Sequence, residues 1–179
     1  MTEIKVIILC TECKLFWSGD AERPSCVAPD HDHQRHEVHR HRTLVVLPDN
    51  TEITAVSFDD DDPYTREQPP DFGLYLDARW RPPWPHEQLD WPDFGTPANQ
   101  ADAEAALRGL LDRARKGQRV EIGCLGAHGR TGTALAYLAV LCGHPPADAV
   151  AWVRSEYCPK AVETDEQAAF VAALAPYGQ

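Results

Sequence analysis

The spacing of apolar and polar residues divides the chain into three zones. Residues 1–41 are dense in Cys and His, residues 42–97 are rich in strand patterns and prolines, and residues 98–179 are helical around one short strand. Apolar and β-branched runs predict five strands: Ile4–Leu9, Thr43–Leu47, Thr51–Phe58, Phe72–Leu76 and Arg119–Gly123. The second and third strands flank Pro48-Asp49-Asn50, whose residue types favour a turn, and we expect them to form a hairpin. The prolines between Pro82 and Pro97 predict loop or extended chain after Trp80.

Helical spacing appears in four segments of the third zone. These are Pro97–Lys116, Thr131–Cys142, Pro146–Tyr157 and Thr164–Ala173. The second segment is apolar on nearly all sides, which is typical of a helix at the centre of a domain. The last segment begins with Thr164 followed three residues later by Gln167, a capping signature.

The net charge of the chain bears on which kinds of molecule it could bind. The chain has 28 acidic and 17 basic residues and a net charge of −11, which argues against coating nucleic acid or binding an anionic membrane. The apolar runs are much shorter than the ~20 residues that span a bilayer. We therefore expect a soluble, cytoplasmic protein without nucleic-acid or membrane partners. The excess of Arg over Lys and the abundance of Ala suggest a GC-rich bacterial genome.

The most informative segment runs from the predicted strand Arg119–Gly123 through Cys124 and a glycine-rich turn to Arg130. Such a turn directs successive backbone N–H groups inward and makes an anion-binding nest, which the N-terminus of the following helix reinforces. The same field is expected to lower the pKa of Cys124 and keep it as a thiolate nucleophile. Arg130 is suited to grip two phosphate oxygens, and Thr131 to donate a hydrogen bond to the sulfur. The nest is expected to comprise the backbone of Leu125, Gly126, Ala127, His128 and Gly129.

A bare Cys-x5-Arg match more often marks a buried structural cysteine, but a second motif changes that interpretation. Asp93 lies in Trp91-Pro92-Asp93, 31 residues before Cys124. An aspartate paired with a thiolate can serve as the general acid that protonates a leaving oxygen. Together, these two motifs resemble those of the cysteine-dependent protein tyrosine phosphatases, and their separation suits the compact, dual-specificity-like members. The segment Val162–Phe170 is similar to the one that carries the family's water-positioning glutamine, here Gln167.

The resemblance covers about residues 70–175 and implies both a fold and a reaction. The implied fold is α/β, with a central mixed, largely parallel sheet flanked by helices on both faces. The implied reaction is hydrolysis of a phosphomonoester, on a protein or a small molecule, through a cysteinyl-phosphate and without a catalytic metal. Asp93 acts first as acid and then as base, and Gln167 orients the water. One departure is Gly123, because the family usually has a histidine directly before the nucleophile.

Two alternatives stay open from sequence. The substrate could be phosphotyrosine, with or without phosphoserine and phosphothreonine, or it could be an inositol phosphate, a phosphoinositide or a nucleotide. Alternatively, the chain could be an adaptor whose phosphatase-like half only binds phosphate.

The N-terminal zone predicts a structural zinc ion. Cys10 and Cys13 form a Cys-x2-Cys pair, Cys26 follows, and the fourth ligand would be His31 or His33. We therefore expect a small zinc-ribbon-like β segment over residues 1–41, followed by a catalytic domain over residues 42–179 that includes the hairpin.

Overall fold

The computed structural model describes residues 43–59 and 63–175, together with the backbone of three strands in the N-terminal zone. These strands are β1 (Ile4–Cys10), β2 (Phe16–Ser18) and β3 (His33–His39). The chain divides into two compact units, Met1–His41 and Arg42–Gln179.

In the smaller unit, β1 is the middle strand of an antiparallel sheet with the order β2-β1-β3. The register pairs Ile4 with His39 at one end of β1 and Cys10 with His33 at the other. The zinc-ribbon character expected here also depends on Cys13, Cys26 and His31, which lie outside the described residues, so it stays a prediction.

The larger unit contains a mixed sheet with the order β4-β5-β8-β6-β7, in which only the β4–β5 pair is antiparallel. Its strands are β4 (Leu44–Val46), β5 (Glu52–Ser57), β6 (Phe72–Tyr75), β7 (His86–Gln88) and β8 (Val120–Cys124). Its helices are α1 (Gln100–Arg115), α2 (Gly129–Leu141), α3 (Pro146–Glu156) and α4 (Asp165–Ala172). The expected α/β fold, a largely parallel sheet flanked by helices, is confirmed for this unit.

Helix α2 occupies the centre of the unit, as its apolar composition predicts. Every residue of α2 is buried, and the helix contacts β8 as well as α1, α3 and α4. Among the described residues, no helix is both long and apolar enough to cross a membrane.

The two faces of the sheet are covered differently, which corrects the expectation of helices on both. Alternate strand residues point to opposite faces, so Leu74 joins the core beneath the helices while Tyr75 joins a separate aromatic cluster. Trp80 and Trp84 complete that cluster, with Phe58 and Tyr64 packed against it. In the part of the chain described, these rings take the place of a second helical layer. They form a buried cluster of their own on this face.

Strand β7 lies within the segment predicted to be loop. Its three residues follow Pro85, whose carbonyl accepts a hydrogen bond from Gly73 N. A strand this short has too few residues to show an alternating pattern, so only its pairing with β6 reveals it.

Candidate active site

Cys124 is the last residue of β8, the middle strand of the larger sheet, and the loop after it leads directly into α2 at Gly129. Residues 124–130 thus form a strand–turn–helix unit at the carboxyl end of parallel strands, where ligands bind in open α/β sheets. Ala127 adopts a left-handed conformation, with φ of 54°, at the turn. Leu125, Gly126 and His128 are partly exposed, whereas Cys124 is only 2% exposed.

Gly123 has a steric reason to lack a side chain. It pairs with Val56 of the parallel neighbour β5. A Cβ atom on Gly123 would lie 2.5 Å from the Val56 carbonyl oxygen. A histidine at this position would therefore require the two strands to separate.

The environment of the Cys124 sulfur corrects the expected direction of its pKa. Burial raises the pKa of the thiol above its ordinary value of 9.0 and outweighs the groups that lower it. Those groups are the Thr131 hydroxyl, which donates to Sγ over 3.0 Å, the Arg130 charge and the amides of Thr131 and Ala127. The loop does favour the thiolate, but the residues packed around the sulfur exclude the water that would solvate its negative charge.

Arg130 is buried, and most of its guanidinium is engaged by main-chain and acidic groups. Nη1 donates to the carbonyl oxygens of Leu76 over 2.8 Å and Trp91 over 3.3 Å. Nη2 lies 3.3 Å from Oδ2 of Asp77 and 3.2 Å from Oδ1 of Asp93. Nε is buried, and no described residue accepts a hydrogen bond from it.

Asp93 therefore forms an ion pair with Arg130, and its side chain remains 55% exposed. The loop that carries it is closed by a bond of 2.9 Å from Trp91 Nε1 to the Gly95 carbonyl oxygen. Phe94, which follows Asp93, has a φ of 59° and a largely exposed ring.

Gln167 holds this acid loop from the side of α4. Its Nε2 donates to the Gly95 carbonyl oxygen over 3.1 Å, and its Oε1 accepts from Glu163 N over 2.9 Å. Thr164 Oγ1 adds a bond of 3.1 Å to the Phe94 carbonyl oxygen. Gln167 is fully buried, so both ends of its amide are used within the protein.

Sequence reasoning missed several groups that converge on the site. Asp77 is 6% exposed, and its carboxylate bridges Arg130 and Arg79. The hydrogen bonds from Arg79 lower the pKa of Asp77 to about 2. No local motif marks this aspartate, because its partner Arg130 lies far along the chain.

Glu163 carries a signal that could have been used, since it lies in the segment that identified Gln167. Its Oε2 occupies the space that a Cβ atom on Gly129 would need, so the glycine makes room for the carboxylate beside the loop. Partial burial and the nearby charge of Asp93 raise the pKa of Glu163 above its ordinary value of 4.5.

The predicted metal ligands are described only in part. Backbone positions are given for Cys10 and His33, which are paired across β1 and β3. Cys13, Cys26 and His31 lie outside the described residues. Within the residues that the structure does describe, no group of three or more His, Cys, Asp or Glu could hold a metal ion.

No protein-family model matches the chain. Two proteins of Methanocaldococcus jannaschii, the uncharacterized proteins MJ0215 and MJECL20, are each 35% identical to it over 109 residues, or 55% of the chain. The match spans 66% of MJ0215, slightly less than two thirds, and 71% of MJECL20. The chain and MJECL20 thus belong to one family. Both relatives are archaeal, so they give no support to the bacterial origin expected from composition.

Solved structures identify the fold. The active form of Tk-PTP is 28% identical, with a TM-score of 0.50 over 57% of this chain and 75% of that one. The larger unit is a tyrosine-phosphatase-like domain. A mutant form of Tk-PTP, at 24% identity and a TM-score of 0.54, covers 67% of this chain and 85% of its own. Kinase associated phosphatase with its catalytic cysteine replaced by serine, at 16% identity and a TM-score of 0.57, covers 72% and 90%. The last two likenesses concern the fold alone. All three neighbours are protein tyrosine or dual-specificity phosphatases.

Proposed function

We propose that this chain hydrolyses phosphomonoesters through a cysteinyl-phosphate intermediate, with phosphotyrosine as substrate and phosphoserine and phosphothreonine as further candidates. One observation carries the proposal: Arg130 Nε is a buried cationic donor that no described residue satisfies, beside the loop that follows Cys124. Leaving such a donor unpaired is costly. A phosphate oxygen bound in the loop would satisfy it.

The first step would transfer the phosphoryl group to Cys124. The thiolate attacks phosphorus, the bond between phosphorus and the ester oxygen breaks, and Asp93 donates its proton to the departing oxygen. Arg130 and the loop amides stabilise the charge on the transferring group. Because Arg130 Nη2 contacts both Asp93 and Asp77, a bound phosphate would take over part of that contact.

The second step would release phosphate. Asp93, now ionised, accepts a proton from a water molecule whose oxygen attacks phosphorus, and the bond between sulfur and phosphorus breaks. The resemblance assigns the orientation of this water to Gln167. Since both ends of the Gln167 amide are bonded to Gly95 and Glu163, we propose that Gln167 acts by holding the loop that positions Asp93.

Hydrolysis of para-nitrophenyl phosphate by the full chain tests the proposal. We expect turnover by the wild type and none by Cys124→Ser, while Cys142→Ser retains activity because Cys142 lies at the end of α2, away from the loop. A panel of phosphotyrosine, phosphoserine, inositol phosphate and nucleotide substrates then ranks substrate classes. Activity that survives Cys124→Ser would contradict the mechanism.

The binding-only alternative is favoured by Gly123, which stands where the family usually has a histidine directly before the nucleophile, together with the burial that raises the pKa of Cys124. A thiol that stays protonated would bind phosphate without attacking it. Phosphopeptide binding by a wild type that shows no turnover across about pH 5 to 9 would support this adaptor function.

For the smaller unit we propose a structural zinc ion, with no role in catalysis. The antiparallel register supports His33 over His31 as the histidine ligand, because it pairs His33 directly with Cys10. A bound zinc ion would stabilise this segment, which is too short to build a hydrophobic core of its own.

A further inference from the structure

Residues outside the loop that would bind phosphate donate hydrogen bonds to its carbonyl oxygens. Phe58 N donates to the Cys124 carbonyl oxygen over 3.1 Å. The Leu125 carbonyl oxygen accepts from Ser57 Oγ over 2.6 Å and from Asp59 N over 3.0 Å. The Ala127 carbonyl oxygen accepts from the Tyr157 hydroxyl over 2.7 Å.

Each of these bonds also orients an amide. The described chain contains no cis peptide bond, and in a trans peptide the N–H points opposite to the C=O. Holding the carbonyls of Cys124, Leu125 and Ala127 outward therefore turns the next N–H groups in the chain to the other side of the loop. Those amides belong to Leu125, Gly126 and His128, and an anion-binding nest requires them to converge.

The bond from Tyr157 acts at the most demanding position of the loop. Ala127 has a φ of 54°, a left-handed conformation that is unfavourable for a residue with a Cβ atom. Its own N–H faces the Cys124 sulfur, where it favours the thiolate. Ala127 thus directs its own N–H to the sulfur, and its carbonyl shares a peptide group with the His128 N–H. The Tyr157 hydroxyl stabilises Ala127 in the conformation that does both.

The hydroxyls matter more here because residue 123 cannot support the loop. Gly123 has no side chain, and the Val56 carbonyl oxygen occupies the space that one would need. Ser57 is the last residue of β5, next to Val56, and Tyr157 caps the C-terminus of α3. Support therefore reaches the loop from the neighbouring strand and from a helix that follows α2.

We propose that the Ser57 and Tyr157 hydroxyls are positioning residues that align the loop amides for phosphate and for the Cys124 thiolate. This proposal rests on the proposed phosphatase function. Each hydroxyl donates to a carbonyl oxygen of the loop. Burial raises the pKa of Tyr157 well above 10, so its phenol is a protonated donor at neutral pH.

Removing one hydroxyl at a time tests the proposal. For Tyr157→Phe we expect inorganic phosphate to inhibit three to ten times more weakly and kcat/KM to fall by a similar factor, the usual effect of one buried hydrogen bond. The pH at which Cys124 becomes half-alkylated in a fixed time should also rise. Ser57→Ala should change the same quantities in the same direction, and Ser57→Thr, which keeps a hydroxyl, should restore them.

Tyr137→Phe is the matched control. Tyr137 is a buried tyrosine of α2, 3% exposed, and its hydroxyl pairs with Glu104 rather than with the loop. Tyr137→Phe should lower the melting temperature about as much as Tyr157→Phe does. It should leave phosphate inhibition and kcat/KM within twofold of the wild type.

The outcomes separate this proposal from the function on which it rests. A wild type that neither hydrolyses phosphomonoesters nor binds phosphate would overturn the function and the positioning role together. An active wild type with unchanged phosphate inhibition in Tyr157→Phe and Ser57→Ala would overturn the positioning role alone. Equal losses in Tyr137→Phe would also overturn it, since they would show a general effect of destabilisation.

Discussion

Arg130 holds Asp93 through an ion pair of 3.2 Å between Nη2 and Oδ1. The same nitrogen lies 3.3 Å from the buried Asp77 carboxylate. The cation that would bind phosphate is therefore neutralised by two carboxylates, one of which is the proposed acid. Substrate binding is expected to redistribute these contacts, and replacing Asp93 or Asp77 tests each carboxylate separately.

Asp93→Ala should lower kcat by about 10²–10⁴ on an alkyl phosphate, the usual contribution of a positioned proton donor. The loss should be smaller for para-nitrophenyl phosphate, whose leaving group needs little protonation. Steady-state kinetics on both substrates measure the difference. Asp90→Asn, an exposed aspartate just before this loop, is the control and should retain full activity. Equal losses on the two substrates would argue against an acid role.

Asp77→Asn should make stability less dependent on acid pH. The fold lowers the pKa of Asp77 from its ordinary value of 3.8 to about 2. The ionised carboxylate therefore contributes its full stabilisation at pH values above 3.8, and this contribution disappears as the pH falls toward 2. At pH 7 the variant should melt roughly 5 °C lower, the effect of losing hydrogen bonds to charged groups. The gap should close near pH 2. Melting curves of the wild type, Asp77→Asn and the exposed control Asp112→Asn across this range check it, and a constant gap would contradict it.

Cys124 should react with the neutral reagent iodoacetamide at a rate that still rises at alkaline pH. Burial raises its pKa above 9.0, so the thiolate fraction should grow about tenfold per pH unit between about pH 6 and 8. Mass spectrometry of labelled peptides distinguishes it from Cys142, whose pKa burial raises to about 12. Inorganic phosphate should protect Cys124 alone. A rate that is already constant at pH 6 would show that the loop field outweighs burial.

Gln167→Met should lower kcat with little change in phosphate inhibition, because it removes the bond to the Gly95 carbonyl oxygen and loosens the acid loop. If Gln167 acts through Asp93, the double variant with Asp93→Ala should lose about as much activity as Asp93→Ala alone. Direct orientation of water would instead add to the loss that Asp93→Ala causes. A double variant that loses clearly more activity than Asp93→Ala alone would therefore contradict the positioning role.

Elemental analysis of the full chain should find one zinc ion per molecule. His33→Gln should release it more readily than His31→Gln, because the strand register pairs His33 with Cys10. His39→Gln serves as control, since His39 is paired with Ile4 at the far end of the sheet. Zinc content near zero in protein that was never exposed to a chelator would reject the site.

The sequence by itself determined the parts of the candidate site that are local in the chain. Cys124, the turn and Arg130 lie within one strand–turn–helix unit, so their residue types and spacing already indicate an anion-binding loop. The long helical periodicities and the apolar character of α2 likewise predicted most elements of the larger unit. Asp93 and Gln167 lie farther away and were assigned only through resemblance to a family.

Only the tertiary structure decided what depends on packing between distant segments. Asp77 reaches Arg130, and Tyr157 reaches Ala127, across separations for which no periodicity or motif exists. The absence of a side chain at Gly123 is explained only by the carbonyl oxygen of the strand beside it. The pKa of Cys124 depends on how completely the fold excludes water from the sulfur. Spacing along the chain carries no information about this desolvation, which is why sequence reasoning predicted the stabilising groups correctly and the net direction wrongly.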